Sequence, residues 1–343
     1  HVPRAVAARA VGSRRGASIA SLLLVLAGVI GVVQFYEPPE SFLLPLAGRD
    51  TVLAAATPSA NAFGKSGEVK VRLALPGSII EYPLEIQGDP TSLSYQWVEM
   101  LDTAGLGLTR PLLGANFVAP PEPGFYQLSL VRGARRVIVD ELTLAVLVPF
   151  AEKEGGSLNG YRIGTYLAER LGSARRGGAR ERPRGFVEVE KSDLDLAVST
   201  HLRISDFVTH DGQGGWPRYV ALSPLLLDKL ELVVAELAER RGGDVSMEID
   251  VHSGFRTPAY NRTVQLAARD SRHQYGDAVD IAIDANGDGR YTASDVKLVS
   301  LAVEAVERNY PELVGGLGVY TSRRYNTPYA HIDARGRRAR WGG

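Results

Sequence analysis

The longest uncharged apolar run in the pattern lies near the start, from Gly16 to Tyr36 (GASIASLLLVLAGVIGVVQFY). About twenty such residues, rising about 1.5 Å each in a helix, cross a hydrocarbon layer of about 30 Å, so the run predicts a transmembrane helix. Arg4, Arg9, Arg14 and Arg15 precede it and Glu37 follows, a bias that keeps the N-terminus cytoplasmic and exports what comes after. The alternative is a cleaved signal peptide. Its apolar region would be long, and the small-x-small pattern at Ala54 to Ala56 lies too far downstream. Residues 1–36 are therefore read as a cytoplasmic tip and a single-pass anchor in the inner (cytoplasmic) membrane, with the bulk of the chain periplasmic or extracellular.

Beyond the anchor the periodicity changes several times. Residues 37–66, rich in Pro, Ala, Ser and Gly, read as a linker. Over 67–150, short alternating or apolar runs (VKVRLAL, IIEYPLEI, LSYQWVEML, GFYQLSLV, RVIVDELTLAVLV) are cut by PGS, GDP, PPEPG and RGA turns. This spacing predicts an all-β sandwich, and Trp97 and the segment around Tyr126 resemble an immunoglobulin-like domain. Residues 151–195 form a connecting segment with a basic, Gly-rich stretch. Over 196–343, ALSPLLLDKLELVVAELAERRGG and TASDVKLVSLAVEAVERNY carry helical spacing, with Ser223 as an N-cap. MEIDVHSGF reads as a buried strand, and GGLGVY and PYAHIDA as strands that close the domain. The mixture predicts an α+β domain without the regular alternation of a doubly wound sheet. The fold class is thus multidomain: a transmembrane helix, a β-sandwich and an α+β domain.

Composition narrows the chemistry. Lys plus Arg and Asp plus Glu both number 39, a formal net charge of zero that speaks against nucleic acid as a partner. With no cysteine there is no disulfide, thiolate nucleophile or Cys-zinc site, so any transition metal falls to carboxylates and the six histidines.

Two polar clusters bear on this. SRHQYGDAVDIAID holds His273 and Asp280 with Gly276 between them, and PYAHIDARG holds His331. Two imidazoles and a carboxylate would leave the fourth position of a tetrahedral Zn²⁺ open for water, a set suited to amide hydrolysis. SGFRTPAYN, SRHQYGDAVDI and GGLGVY…AHIDARGRRARW together resemble the M15 family of zinc peptidases, the D-alanyl-D-alanine carboxypeptidases, over roughly residues 196–343. Ser271, His273, Gly276, Ala278 and Asp280 fill the family's Ser-x-His-x-x-Gly-x-Ala-x-Asp block. The resemblance implies a Hedgehog/DD-peptidase fold, zinc on His273, Asp280 and His331, and peptidoglycan peptides as substrate. It also implies a metallopeptidase cutting stem peptides or cross-links as a carboxypeptidase or endopeptidase. Arg256 matches an arginine beside the metal, where a guanidinium binds a substrate carboxylate or the developing oxyanion; its other reading is a salt bridge at a helix start.

One position departs from the family. Several members carry a Glu three residues before the last zinc-binding His, where this chain has Pro328. Asp333, on the same strand face as His331, either takes the proton from water or hydrogen-bonds a ligand. The missing Glu keeps open a non-catalytic alternative: a zinc-containing peptidoglycan-binding protein, or an envelope scaffold whose sandwich recruits a partner protein. His252 reads as packing against the sheet, and His201 and His210 as structural. The arginines from Arg323 to Arg340 read as a solvated basic surface. Finally, DANGDGRYTASD matches a calcium loop at 284–295, with Asp284, Asn286, Asp288, Arg290 (through its carbonyl), Thr292 and Asp295 as ligands. Zn²⁺ and Ca²⁺ are the expected cofactors.

Overall fold

A computed structural model describes residues 56–58, 64–81, 84–86, 92–100, 108–112, 116–171, 182–243, 247–322 and 326–342. All fall within one unit, Gly31–Gly343. The predicted anchor, most of the linker and the stretch 172–181 lie outside the described residues. Among the described residues no helix is long and apolar enough to cross a membrane.

The architecture is β-rich, with several sheets. In the first half, strands β1 (Val71–Ala74), β2 (Ile79–Glu81), β3 (Ser94–Glu99), β4 (Arg110–Pro111), β5 (Asn116–Val118), β6 (Gly124–Arg132) and β7 (Arg135–Val146) follow the apolar runs. Five of them form a sheet in the order β1-β7-β6-β3-β4, and β2 pairs with β5. The pair is held by aromatic packing. Phe117 of β5 meets Tyr95 and Trp97 of β3 edge-on at 4.8 and 6.3 Å, and the Trp97 indole donates to the Val118 carbonyl at 2.8 Å. The Tyr126 hydroxyl donates to the Glu122 carbonyl at 3.1 Å, which fixes the corner where the chain enters β6.

A three-stranded antiparallel sheet follows, built from β8 (Val148–Pro149), β9 (Gly185–Val189) and β10 (Arg218–Val220). The last part contains helix α1 (Pro224–Arg240), strand β11 (Asp250–Ser253), the short helix α2 (Pro258–Asn261), strand β12 (Ala278–Ala282) and helix α3 (Ala293–Asn309). Strands β13 (Gly316–Tyr320), β14 (Tyr329–Asp333) and β15 (Ala339–Gly342) complete it. Its sheet runs β11-β12-β14-β13-β15, with β15 parallel to β13.

Three differences from the sequence reading have physical causes. The segment read as a buried strand is an edge strand, β11, whose residues are exposed or half-buried, because one side of it has no neighbouring strand among the described residues. Helix α1 forms over the segment with helical spacing, but Asp228, Lys229 and Glu231, to which that spacing assigned no role, are buried because the helix is packed on several sides. Each has found a partner, as buried charges must. Asp228 accepts from the backbone N–H groups of Lys65 and Ser66 at 2.8 Å, so the last residues assigned to the linker are bound to α1. Glu231 accepts from His201, and the Lys229 ammonium donates to Glu307 of α3 at 2.7 Å and to the Asp333 carbonyl at 2.8 Å. Third, the basic end is only partly a solvated surface. Arg335 pairs with Asp333, and Arg340 pairs with Glu304 and Glu307.

Candidate metal centre

Strand register creates the centre. Asp280 of β12 lies directly opposite His331 of β14, and the same row continues to Ser253 on one side and to Gly318 and Trp341 on the other. Cross-strand neighbours share a face, so this row presents its side chains together. The glycines of GGLG make room. A Cβ on Gly318 would overlap the Trp341 indole, which lies across that position to reach His331 with ring centroids 5.1 Å apart. A Cβ on Gly315 or Gly316 would overlap Asp333.

His273 arrives from a tight turn, Arg272–Tyr275, that ends on Gly276 at φ +70°. Glycine is required there twice over: for the left-handed backbone, and because a Cβ would overlap the Ala221 carbonyl. The Gly276 carbonyl accepts from the Ser223 N–H at 3.0 Å, which ties the turn to the start of α1. The His273 Nδ1–H donates to the Gly254 carbonyl at 2.7 Å, leaving the Nε2 lone pair for the centre.

Three donor atoms converge. His331 Nδ1 is 2.8 Å from Asp280 Oδ1, and His273 Nε2 is 3.1 Å from His331 Nδ1 and 3.3 Å from Asp280 Oδ1. Tetrahedral zinc with ligands at about 2.0–2.1 Å has ligand-to-ligand edges of about 3.3 Å, so the triangle has nearly the size such an ion needs. Among the described residues this is the group of three His or acidic side chains able to hold a metal, and all three are buried.

The electrostatics are strongly coupled. Burial alone would raise the Asp280 carboxyl, but the two imidazoles hold it well below the usual carboxylate range. Burial pushes His273 down, away from the charged form. For His331 burial acts the same way, yet hydrogen bonds to Asp280 and Asp333 outweigh it and raise the ring.

Arg256 and Asp333, the sequence-predicted catalytic pair, both contact the ligands. The Arg256 guanidinium donates to Asp280 Oδ2 through Nη2 and to the Ser253 hydroxyl through Nε at 2.7 Å. Its neighbour Thr257 does cap α2, accepting from the Tyr260 N–H. Asp333 stands 3.3 Å from His331 Nε2, the ring nitrogen that points away from the triangle. It also accepts from the Gly316 N–H at 2.7 Å and from Arg335, and these donors hold it far below the carboxylate range against the opposing effect of burial. Ser271 caps the His273 turn without a side-chain cap bond. Sequence reasoning missed Trp341, on a strand read as a basic tail, and the glycines at 315, 316 and 318.

The 284–295 loop is closed by its own hydrogen bonds. Asp284 accepts from the N–H groups of Gly287, Asp288 and Gly289, and Asp288 from that of Arg290. Asp295 turns to the N–H groups of Asn286 and Thr292 and to the Thr292 hydroxyl, capping α3. The acidic groups of the loop do not converge as the His273 group does. A thermal scan with millimolar Ca²⁺ tests the calcium reading of this loop: a rise of several degrees in the melting temperature supports it, and an unchanged melting temperature counts against it.

No protein-family model matches the sequence, and no curated protein matches it. Among solved structures the chain is similar to the L-Ala D-Glu endopeptidase ChiX of Serratia marcescens. Identity is 19%, over 34% of this chain and 83% of that one, with a TM-score of 0.22. That likeness is too slight to bear on the chemistry of the site.

Proposed function

We propose that the chain is a zinc-dependent amide hydrolase acting on the peptides of peptidoglycan. The observation that carries the reading is the triangle of His273 Nε2, Asp280 Oδ1 and His331 Nδ1, with edges of 2.8–3.3 Å. It supplies three ligands of the kinds and spacing found where zinc keeps an open position. Bound there, zinc would polarise a carbonyl and make water a better nucleophile at neutral pH. The protein's own part is to hold the ligands. Gly254 fixes the His273 tautomer, Asp333 orients His331, and Arg256 holds the second oxygen of Asp280. Asp333 is thus assigned as a positioning residue, since its carboxylate is taken up by Arg335 and Gly316.

The peptidoglycan substrate rests on the motif resemblance of residues 196–343, and the export of this part rests on the apolar run and the arginines before it. The first sheet carries no candidate chemistry and is assigned as a spacer, or as a docking module for an envelope protein. The non-catalytic reading draws on one observation, the commitment of Asp333 to other partners.

One experiment separates the two readings. The full chain in detergent, and its His273→Ala variant, would be assayed for zinc by mass spectrometry and incubated with purified peptidoglycan. Hydrolysis predicts about one zinc per chain and new peptide termini in the products, both absent from the variant. Bound zinc without any cut amide favours the binding reading, and no bound zinc sinks both.

A further inference from the structure

The proposed hydrolysis needs a group that takes a proton from water and returns it to the departing nitrogen, and Asp333 is engaged elsewhere. We propose that His252, paired with Asp250, is that acid–base group; this rests on the hydrolase reading above.

The argument begins with a β-bulge. On β11, Val251 lies opposite Ile281 and Ser253 opposite Asp280, so two steps on β11 match one step on β12 and His252 is the extra residue. A bulge on an edge strand beside a functional centre re-aims a side chain. Here it does so twice. It brings Ser253 to the metal face, opposite Asp280, and turns the His252 ring against Tyr329, which lies two residues before His331 on β14. The two ring centroids are 5.6 Å apart.

The surroundings of His252 suit proton transfer. Its Nε2 stands 3.3 Å from Asp250 Oδ2, an arrangement that orients an imidazole. No hydrogen bond occupies Nδ1 among the described residues, so its lone pair is available. His252 also lines a cavity of about 150 Å³ together with Ser253 and with Arg256, whose guanidinium donates to Asp280. The polar groups facing it are Asp250, His210, Ser253, Arg256, Tyr260 and Tyr329. Asp250 is the carboxylate among them, and His210, which lines the same cavity, has no acidic partner among the described residues.

The step balances. As the water oxygen bonds to the amide carbonyl carbon, one water proton passes to His252 Nδ1. As the carbon–nitrogen bond breaks, that proton passes to the leaving nitrogen, giving a carboxylic acid and an amine. General acid–base groups of this kind contribute about 10²–10⁴-fold.

The test uses the full chain with His252→Ala, Asp250→Asn and His210→Ala. His252→Ala is expected to lower kcat by at least about 100-fold with KM and bound zinc unchanged, and added imidazole should restore part of the rate. His210→Ala should keep its kcat. In metal-free protein, nitrogen NMR should find His252 protonated on Nε2, with that signal shifted in Asp250→Asn. Full kcat in His252→Ala, a loss that imidazole leaves untouched, or a proton on Nδ1 overturns the proposal. A wild type that binds zinc but cuts no amide removes the hydrolase reading itself. An active wild type with an unimpaired variant removes only the role of His252.

Discussion

Asp280→Ala is expected to strip the protein of zinc and to destabilise it even when no metal is present. The two effects have separate origins. Oδ1 of Asp280 belongs to the ligand triangle, whereas Oδ2 receives the Arg256 guanidinium, whose side chain is only 12% exposed. Removing the carboxylate leaves a largely buried cation without its partner, which costs about 3–5 kcal/mol. At about 2–4 °C per kcal/mol for a domain of 150–250 residues, melting falls by roughly 6–20 °C. His273→Ala also removes a ligand but leaves the Arg256 pair intact, so its metal-free form should lose only about 1–3 kcal/mol. Thermal scans in chelator, beside zinc analysis, compare the two. Equal melting of Asp280→Ala and wild type in chelator would show that the Arg256 contact contributes nothing.

Proton competition at the same triangle sets the sign of a pH effect. Zinc takes only unprotonated imidazole. His331 is raised by Asp280 and Asp333 against the effect of burial, and His273 is lowered by burial, so acidification protonates His331 first. Zinc affinity should therefore fall as pH drops from 8 to 6, by about tenfold per pH unit once His331 is charged. Affinity that holds steady or strengthens on acidification contradicts this order of protonation.

How much of this was legible in the sequence depends on whether the information is local. His273, Gly276 and Asp280 stand within one short block, and the turn and strand they need are specified there, so the pattern picked them out. His331 is distant in sequence but sits in a recognisable strand. The alternation of that strand correctly put Asp333 on the face of His331, yet it could not say which ring nitrogen the carboxylate would meet. That depends on Gly316 and Arg335, which hold Asp333 from other segments. Arg256 was picked out by its motif, but not as a partner of Asp280. Trp341 and the bulge at His252 were invisible for the same reason. Both arise from pairing between strands, β15 with β13 and β11 with β12, which periodicity along one segment does not encode. The helix α1 failed differently: its period was right, but three of its charges serve as buried docking points.

Those charges lead to the second large effect. Glu307→Leu should destabilise the protein by about 3–5 kcal/mol, because it leaves Lys229, fully buried, with only the Asp333 carbonyl as partner. Lys229→Met should cost less, about 1–2 kcal/mol, since Glu307 keeps Arg340 at 2.5 Å and the Gly315 N–H at 3.0 Å. The double variant should be more stable than Glu307→Leu alone, because it removes the stranded ammonium and substitutes apolar packing. Burial already holds Lys229 below the ordinary lysine range, and losing Glu307 lowers it further. A depressed folded pKa favours the folded state above the unfolded pKa and loses that advantage as pH falls. The defect of Glu307→Leu should accordingly be larger at pH 7 than at pH 10. Denaturant titrations of the three variants at both pH values measure this, and strictly additive losses with no pH dependence would mean that Lys229 and Glu307 are not coupled. The same contact reaches the His273–Asp280–His331 triangle through one further link. Lys229 holds the Asp333 carbonyl and Asp333 orients His331, so Glu307→Leu should also weaken zinc binding, though by less than about the 10–100-fold expected when a residue that orients a ligand directly is lost.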